Sequence, residues 1–193
     1  MRTDFYFPSC GKGMIHGCRW EPQGTPVAVL QIVHGVAEYA ARYEEFASFM
    51  ASKGFLVVAE DHMGHGGSIG DEGVRGHFDG GWHKAVADTH RLLTYTRMEC
   101  PDVPYILLGH SMGSFMVRTM LAKYPKCGIS ATIISGTARG ADRLGEKYAQ
   151  EHGYKIEQMP AQWAKYHQGA GPIRNKQMVK TADAVLVFWD NES

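Results

Sequence analysis

The chain predicts a doubly wound α/β fold: a mostly parallel sheet sandwiched between helices, with an antiparallel hairpin at one edge. Three observations carry this expectation. Short, nearly continuous apolar runs recur at 27–33, 55–59, 105–108 and 131–134, the pattern of strands buried on both faces. Longer stretches with helical periodicity separate them, and the alternation of the two types favours parallel strands joined by right-handed crossovers. Near the N-terminus, residues 3–9 and 14–20 alternate instead, as a half-exposed antiparallel pair does.

The helices are expected at 39–53, 84–98, 112–124, 139–152 and 173–181. In the third, Met112, Phe115, Met116 and Met120 form one apolar stripe, suited to core packing. A further strand is expected at 184–188, and a weaker one at 154–156. Glycines at 66, 67, 70, 80 and 81 mark the 62–82 segment as a loop at the functional edge of the sheet.

Length and composition suit one sizeable soluble domain. The 193 residues are 44% hydrophobic and 21% charged, and 20 basic residues balance 20 acidic ones. No basic face is evident, so nucleic acid is not expected as a partner. No apolar run reaches membrane-spanning length, so no membrane partner is expected either. Cys10, Cys18, Cys100 and Cys127 lack metal or redox spacing, and free thiols in a reducing, cytoplasmic setting are expected. Neither a cofactor nor a metal is called for, and the oligomeric state is left open.

The chemistry concentrates at Gly109-His110-Ser111-Met112-Gly113, a G-x-S-x-G motif between an apolar strand and a helix. That context makes it a nucleophile elbow, a sharp turn lifting Ser111 Oγ above the sheet edge. The Met112 N–H then faces the place where a tetrahedral oxyanion would form. A second donor is expected from the loop after the first parallel strand, His34-Gly35-Val36-Ala37-Glu38, with the Val36 N–H as candidate. A third segment, Asp61-His62-Met63-Gly64-His65-Gly66-Gly67-Ser68, follows the next strand.

These three segments, in this order, resemble the monoglyceride lipase and lysophospholipase branch of the α/β-hydrolases over residues 1–136. The resemblance implies Ser111 as nucleophile toward a lipid-like carboxylic ester, with Val36 and Met112 as oxyanion donors. It also implies that His34, His62, His65 and His110 brace loops and do not act as the base.

A serine nucleophile needs a histidine to take its proton and an acid to orient that histidine, and in this fold both follow the serine. Downstream there are only His152 and His167, with Asp142 and Asp190 as acids near expected strand ends. His167 is the candidate base.

Beyond residue 134 the chain reads Ser135-Gly136-Thr137-Ala138-Arg139-Gly140-Ala141-Asp142 and later Gly171-Pro172-Ile173-Arg174-Asn175. A glycine turn opening a helix presents backbone N–H groups to an anion. These stretches resemble the YspA-like branch of the SLOG superfamily of Rossmann-like domains over residues 132–193. That likeness implies a nucleotide-derived ligand held by Arg139, Asp142, Arg174 and Asn175.

The chain therefore reads as an engineered chimera: a hydrolase fragment over 1–136 and a SLOG-type fragment over 137–193 in one continuous sheet. It is expected to lack a complete triad and to have little native activity. Two alternatives stand beside this: a serine esterase working through Ser111 on a small ester, and a module binding a nucleotide-derived ligand.

Overall fold

The computed structural model describes residues 1–69, 73–135 and 165. The chain divides into two units, Met1–Asp142 and Arg143–Ser193, and every element below lies in the first. The helices expected at 139–152 and 173–181 and the strands at 154–156 and 184–188 lie outside the described residues, as does the expected join at 136–137.

The described residues form an α/β fold on a mixed six-stranded sheet in the order β1-β2-β4-β3-β5-β6. The strands are β1 Arg2–Pro8, β2 Met14–Trp20, β3 Ala28–Val33, β4 Phe55–Glu60, β5 Tyr105–His110 and β6 Ala131–Ser135. β1 pairs antiparallel with β2, with Asp4 opposite Cys18 and Tyr6 opposite His16. β2 is also antiparallel to β4, whereas β4, β3, β5 and β6 run parallel. β3 is central and buried along its whole length, as its unbroken apolar run requires.

Among the described residues, three α-helices pack on this sheet: α1 Glu44–Ser52, α2 Trp82–Glu99 and α3 Met112–Lys123. On one face, Ala47 and Ala51 of α1 meet Cys18, Trp20, Leu30, Ile32, Val57 and Ala59. On the other, Val86, Leu92 and Leu93 of α2 and Met116, Val117 and Met120 of α3 cover Val29, Val33, Leu56 and Leu107. The methionine stripe of α3 is thus core, with Met116 and Met120 fully buried.

One expected element differs in kind. The helix read at 39–53 opens as a 3-10 turn, Ala40–Tyr43, before α1 begins. The Ala40 N–H, without an acceptor inside the helix, bonds Asp61 Oδ1 just after β4 at 2.5 Å. Of the loop expected at 62–82, residues 62–69 and 73–81 are described and form a loop apart from a 3-10 turn at Gly66–Ser68, while Trp82 already opens α2.

The strand order fixes where a site can form. From β3 the chain moves through α1 to β4 on one side, then crosses through α2 to β5 on the other. The loops after β3 and β5 therefore diverge to opposite faces, opening a crevice between the carboxyl ends of these neighbouring strands.

Candidate active site

Ser111 occupies that crevice. A single residue separates the end of β5 from the start of α3, so the backbone must reverse abruptly, and Ser111 does so at φ 50°, ψ −118°. A non-glycine residue held there stores strain of about 1–3 kcal/mol, sustained only because the surrounding elements dictate it. The flanking glycines show how tightly. A β-carbon on Gly113 would overlap the Val33 carbonyl oxygen, and one on Gly109 would come within 2.8 Å of the Gly113 carbonyl oxygen. α3 can begin this close to β3 only with glycine at both positions. Ser114 completes the turn, its N–H bonding Ser111 O at 2.9 Å and its Oγ donating to Gly109 O at 2.8 Å.

Ser111 itself is exposed. Met112 is the first residue of α3, so its N–H has no intrahelical acceptor. The loop after β3 lies against the elbow: a β-carbon on Gly35 would sit 3.1 Å from Ser111 Cβ. Glu38 shapes this loop, accepting the Gly35 N–H at 2.7 Å and the Tyr43 O–H at 2.9 Å through Oε2. Arg42 Nε and His110 Nε2 stand 3.5 and 3.8 Å from its other oxygen. Ala37 takes a left-handed φ of 59°, and Val36, between Gly35 and Ala37, is 62% exposed.

Two of the histidines beside the site, His34 and His62, are committed elsewhere. His34 Nδ1 donates to Gly35 O at 2.7 Å, and its Nε2 accepts the His62 N–H at 3.1 Å. His62 Nε2 returns a bond to His34 O at 3.1 Å, and the two ring centroids lie 3.9 Å apart with the planes tilted by 32°. This reciprocal lock joins the loops after β3 and β4. Burial, then the neighbouring His62, holds His34 well below the usual imidazole range, and burial holds His62 down at about 4. Both rings are neutral braces at physiological pH. Among the described residues, no side chain hydrogen-bonds Ser111 Oγ.

The candidate base His167 and the candidate ligand residues Arg139, Asp142, Arg174 and Asn175 lie outside the described residues. The structure thus brings Ser111, Met112 and the Val36 loop together. Two groups escaped the sequence reading. Asp61, quoted only as part of a motif, is buried and ties three segments, accepting from Ala40 N, Gly67 N and His16 Nδ1. Glu60, one residue earlier, is fully buried beneath the sheet with Gln31 and Thr89. An acidic pair closing an apolar strand was the available signal.

Comparison with known proteins agrees with this geometry. The family model described as serine aminopeptidase, S33, matches residues 24–185. The monoglyceride lipase of Mus musculus is 37% identical over 119 residues, covering 61% of this chain and 38% of that protein. The monoacylglycerol lipase of Mycolicibacterium smegmatis is 36% identical over 140 residues, covering 72% and 48%. Among solved structures, a thermostable carboxyl esterase from Bacillus coagulans in complex with glycerol superposes with a TM-score of 0.66 at 31% identity, over 79% of this chain and 51% of that one. The chain spans between a third and a half of the length of these curated relatives.

Proposed function

The chain belongs to the serine aminopeptidase, S33, family of α/β-hydrolases, and on that premise we propose that it hydrolyses a carboxylic ester of acylglycerol type through Ser111. The observation that carries this reading is the strained elbow, φ 50°, ψ −118°, presenting an exposed Ser111 at the crevice. Ser111 Oγ attacks the ester carbonyl carbon, and the oxyanion forms against the N–H groups of Met112 and Val36. A histidine takes the Oγ proton and returns it to the departing alcohol; His167 is the residue assigned to this role. Water then resolves the acyl-enzyme. The substrate class is supported by the lipase and esterase relatives. The four free thiols fit a reducing, cytoplasmic setting.

The test is hydrolysis of p-nitrophenyl butyrate by the parent chain, S111A and H167A. Loss of turnover in both variants, by about three orders of magnitude or more, supports the reading. Equal rates in parent and S111A overturn it.

That second outcome belongs to another reading, in which residues 137–193 are a SLOG-type fragment, the chain is an engineered chimera, and the elbow is a relic without acid or base. The bracing of the loops by His34 and His62 is expected under both readings. The extension of the family match through residue 137 to 185 favours the hydrolase reading. The separate alternative of a module for a nucleotide-derived ligand predicts a gain in thermal stability with AMP, ADP-ribose or NAD through Arg139, Asp142, Arg174 and Asn175. An unchanged Tm at millimolar nucleotide removes that alternative.

A further inference from the structure

On the edge hairpin, away from the elbow motif in sequence, three side chains of different chemistry share one face. Asp4 of β1 lies directly opposite Cys18 of β2, and His16, two residues before Cys18, points to the same side. Cys18 Sγ is 3.3 Å from Asp4 Oδ1, and His16 Nε2 is 3.8 Å from the same oxygen. All three atoms lie within 4.8 Å of one another. Among the described residues this is the one group of three or more such side chains gathered so closely.

We propose that Asp4 Oδ1, His16 Nε2 and Cys18 Sγ form a binding site for a zinc-class divalent cation. The spacing fits: ligands at tetrahedral angles, with Zn–O, Zn–N and Zn–S distances of about 2.0–2.3 Å, are roughly 3.3–3.6 Å apart. The two distances to Asp4 Oδ1, 3.3 and 3.8 Å, are within about half an ångström of that geometry, and the third, at most 4.8 Å, must close by no more than about 1.3 Å. A mixed sulfur, nitrogen and oxygen donor set selects zinc, cobalt or nickel over magnesium and calcium, which want oxygen alone.

A second observation concerns how His16 is held. Its Nδ1 donates to Asp61 Oδ2 at 2.7 Å, which turns Nε2 toward Asp4 and Cys18. Asp61 is itself fixed by the N–H groups of Ala40 and Gly67. The backbone N–H of His16 bonds Ser68 Oγ at 2.8 Å. A carboxylate on the far nitrogen is the arrangement that sets the tautomer and raises the basicity of a metal-binding histidine.

Cys18 is buried and Asp4 is 46% exposed, so the site opens to solvent on the Asp4 side, where water supplies the fourth ligand. Binding releases the Cys18 thiol proton to solvent and forms the metal–thiolate bond. Arg2, whose Nε stands 3.1 Å from Asp4 Oδ1, is displaced, a small loss for so exposed a pair.

The full chain is titrated with cobalt(II), whose bond to a thiolate gives a ligand-to-metal absorption band. The expected result is a band saturating at one equivalent, abolished by zinc, unaffected by calcium and retained in the C10S/C100S/C127S variant. C18S abolishes it, and D4N and H16Q weaken cobalt binding about tenfold or more. Absence of the band in the parent, its survival in C18S, or parental affinity in D4N overturns the proposal. D4N alters a half-exposed side chain and leaves the core intact, so its outcome is readable even where C18S folds poorly. None of these readouts depends on ester hydrolysis.

Discussion

Ser111 is the residue at which conformation and chemistry conflict. Its φ of 50° with ψ −118° suits glycine and penalises any residue with a β-carbon. S111G is therefore expected to be more stable than S111A by about 1 kcal/mol, measured by urea denaturation, while both lack turnover. Equal stabilities would mean that the turn is not strained. Gly113 is governed by the opposite constraint, since the Val33 carbonyl leaves no room for a methyl group. G113A must push α3 away from β3 and is expected to cost about 3 kcal/mol in the same measurement.

At the scale of elements, the loop after β3 is aimed by carboxylates from its own turn and from the end of β4. Glu38 holds the Gly35 N–H from within the loop, while Asp61 holds Ala40 from β4 and the Gly67 and His16 groups besides. D61N keeps the shape but exchanges one acceptor for an N–H donor facing other donors. The expected cost is about 1–3 kcal/mol of stability, because a buried donor loses its partner. Turnover on p-nitrophenyl butyrate should also fall, since Val36 rides on the loop that Asp61 anchors. Parental stability and activity in D61N would show that the loop is held by its packing alone.

Across the whole molecule, a polar seam crosses the sheet beneath α2. Tyr105 O–H donates to Gln31 Oε1 at 2.7 Å, Gln31 Nε2 reaches Thr89 O at 2.9 Å, and Thr89 O–H donates to Glu60 Oε1 at 2.5 Å. Burial pushes Glu60 from 4.5 up to about 7, against the hydrogen bonds from Thr89 and Gln31. Between about pH 4.5 and 7 the folded chain keeps this proton while the unfolded chain releases it, so stability falls as pH rises through that window. His62, lowered from 6.5 to about 4 by burial, acts oppositely: the unfolded chain gains a proton on acidification and the folded chain does not. The two contributions offset one another between about pH 4.5 and 6.5. E60Q removes only the first. Its Tm relative to the parent should therefore rise from pH 5 to pH 8, and a difference independent of pH would mean that Glu60 does not titrate in this range. The protonated carboxyl also faces His62 Nδ1 at 3.4 Å, a buried ring nitrogen without another partner among the described residues.

Local sequence determined the elements, because strand burial writes itself as unbroken apolar runs and the elbow needs glycines two residues on either side of a serine. The strands read at 27–33, 55–59 and 105–108 and the helices read at 84–98 and 112–124 were legible on those grounds and stand at Ala28–Val33, Phe55–Glu60, Tyr105–His110, Trp82–Glu99 and Met112–Lys123. Tertiary structure alone decided which polar groups meet. The tether from Asp61 to Ala40, the first residue of the 3-10 turn, spans 21 residues. The seam from Tyr105 to Gln31 spans 74, and the cysteine expected to be a free thiol faces Asp4 only through the hairpin register. Hydrogen bonds and metal-ligand groups are contacts between strands, set by register and sheet order. Neither leaves a period in the chain, whereas burial does.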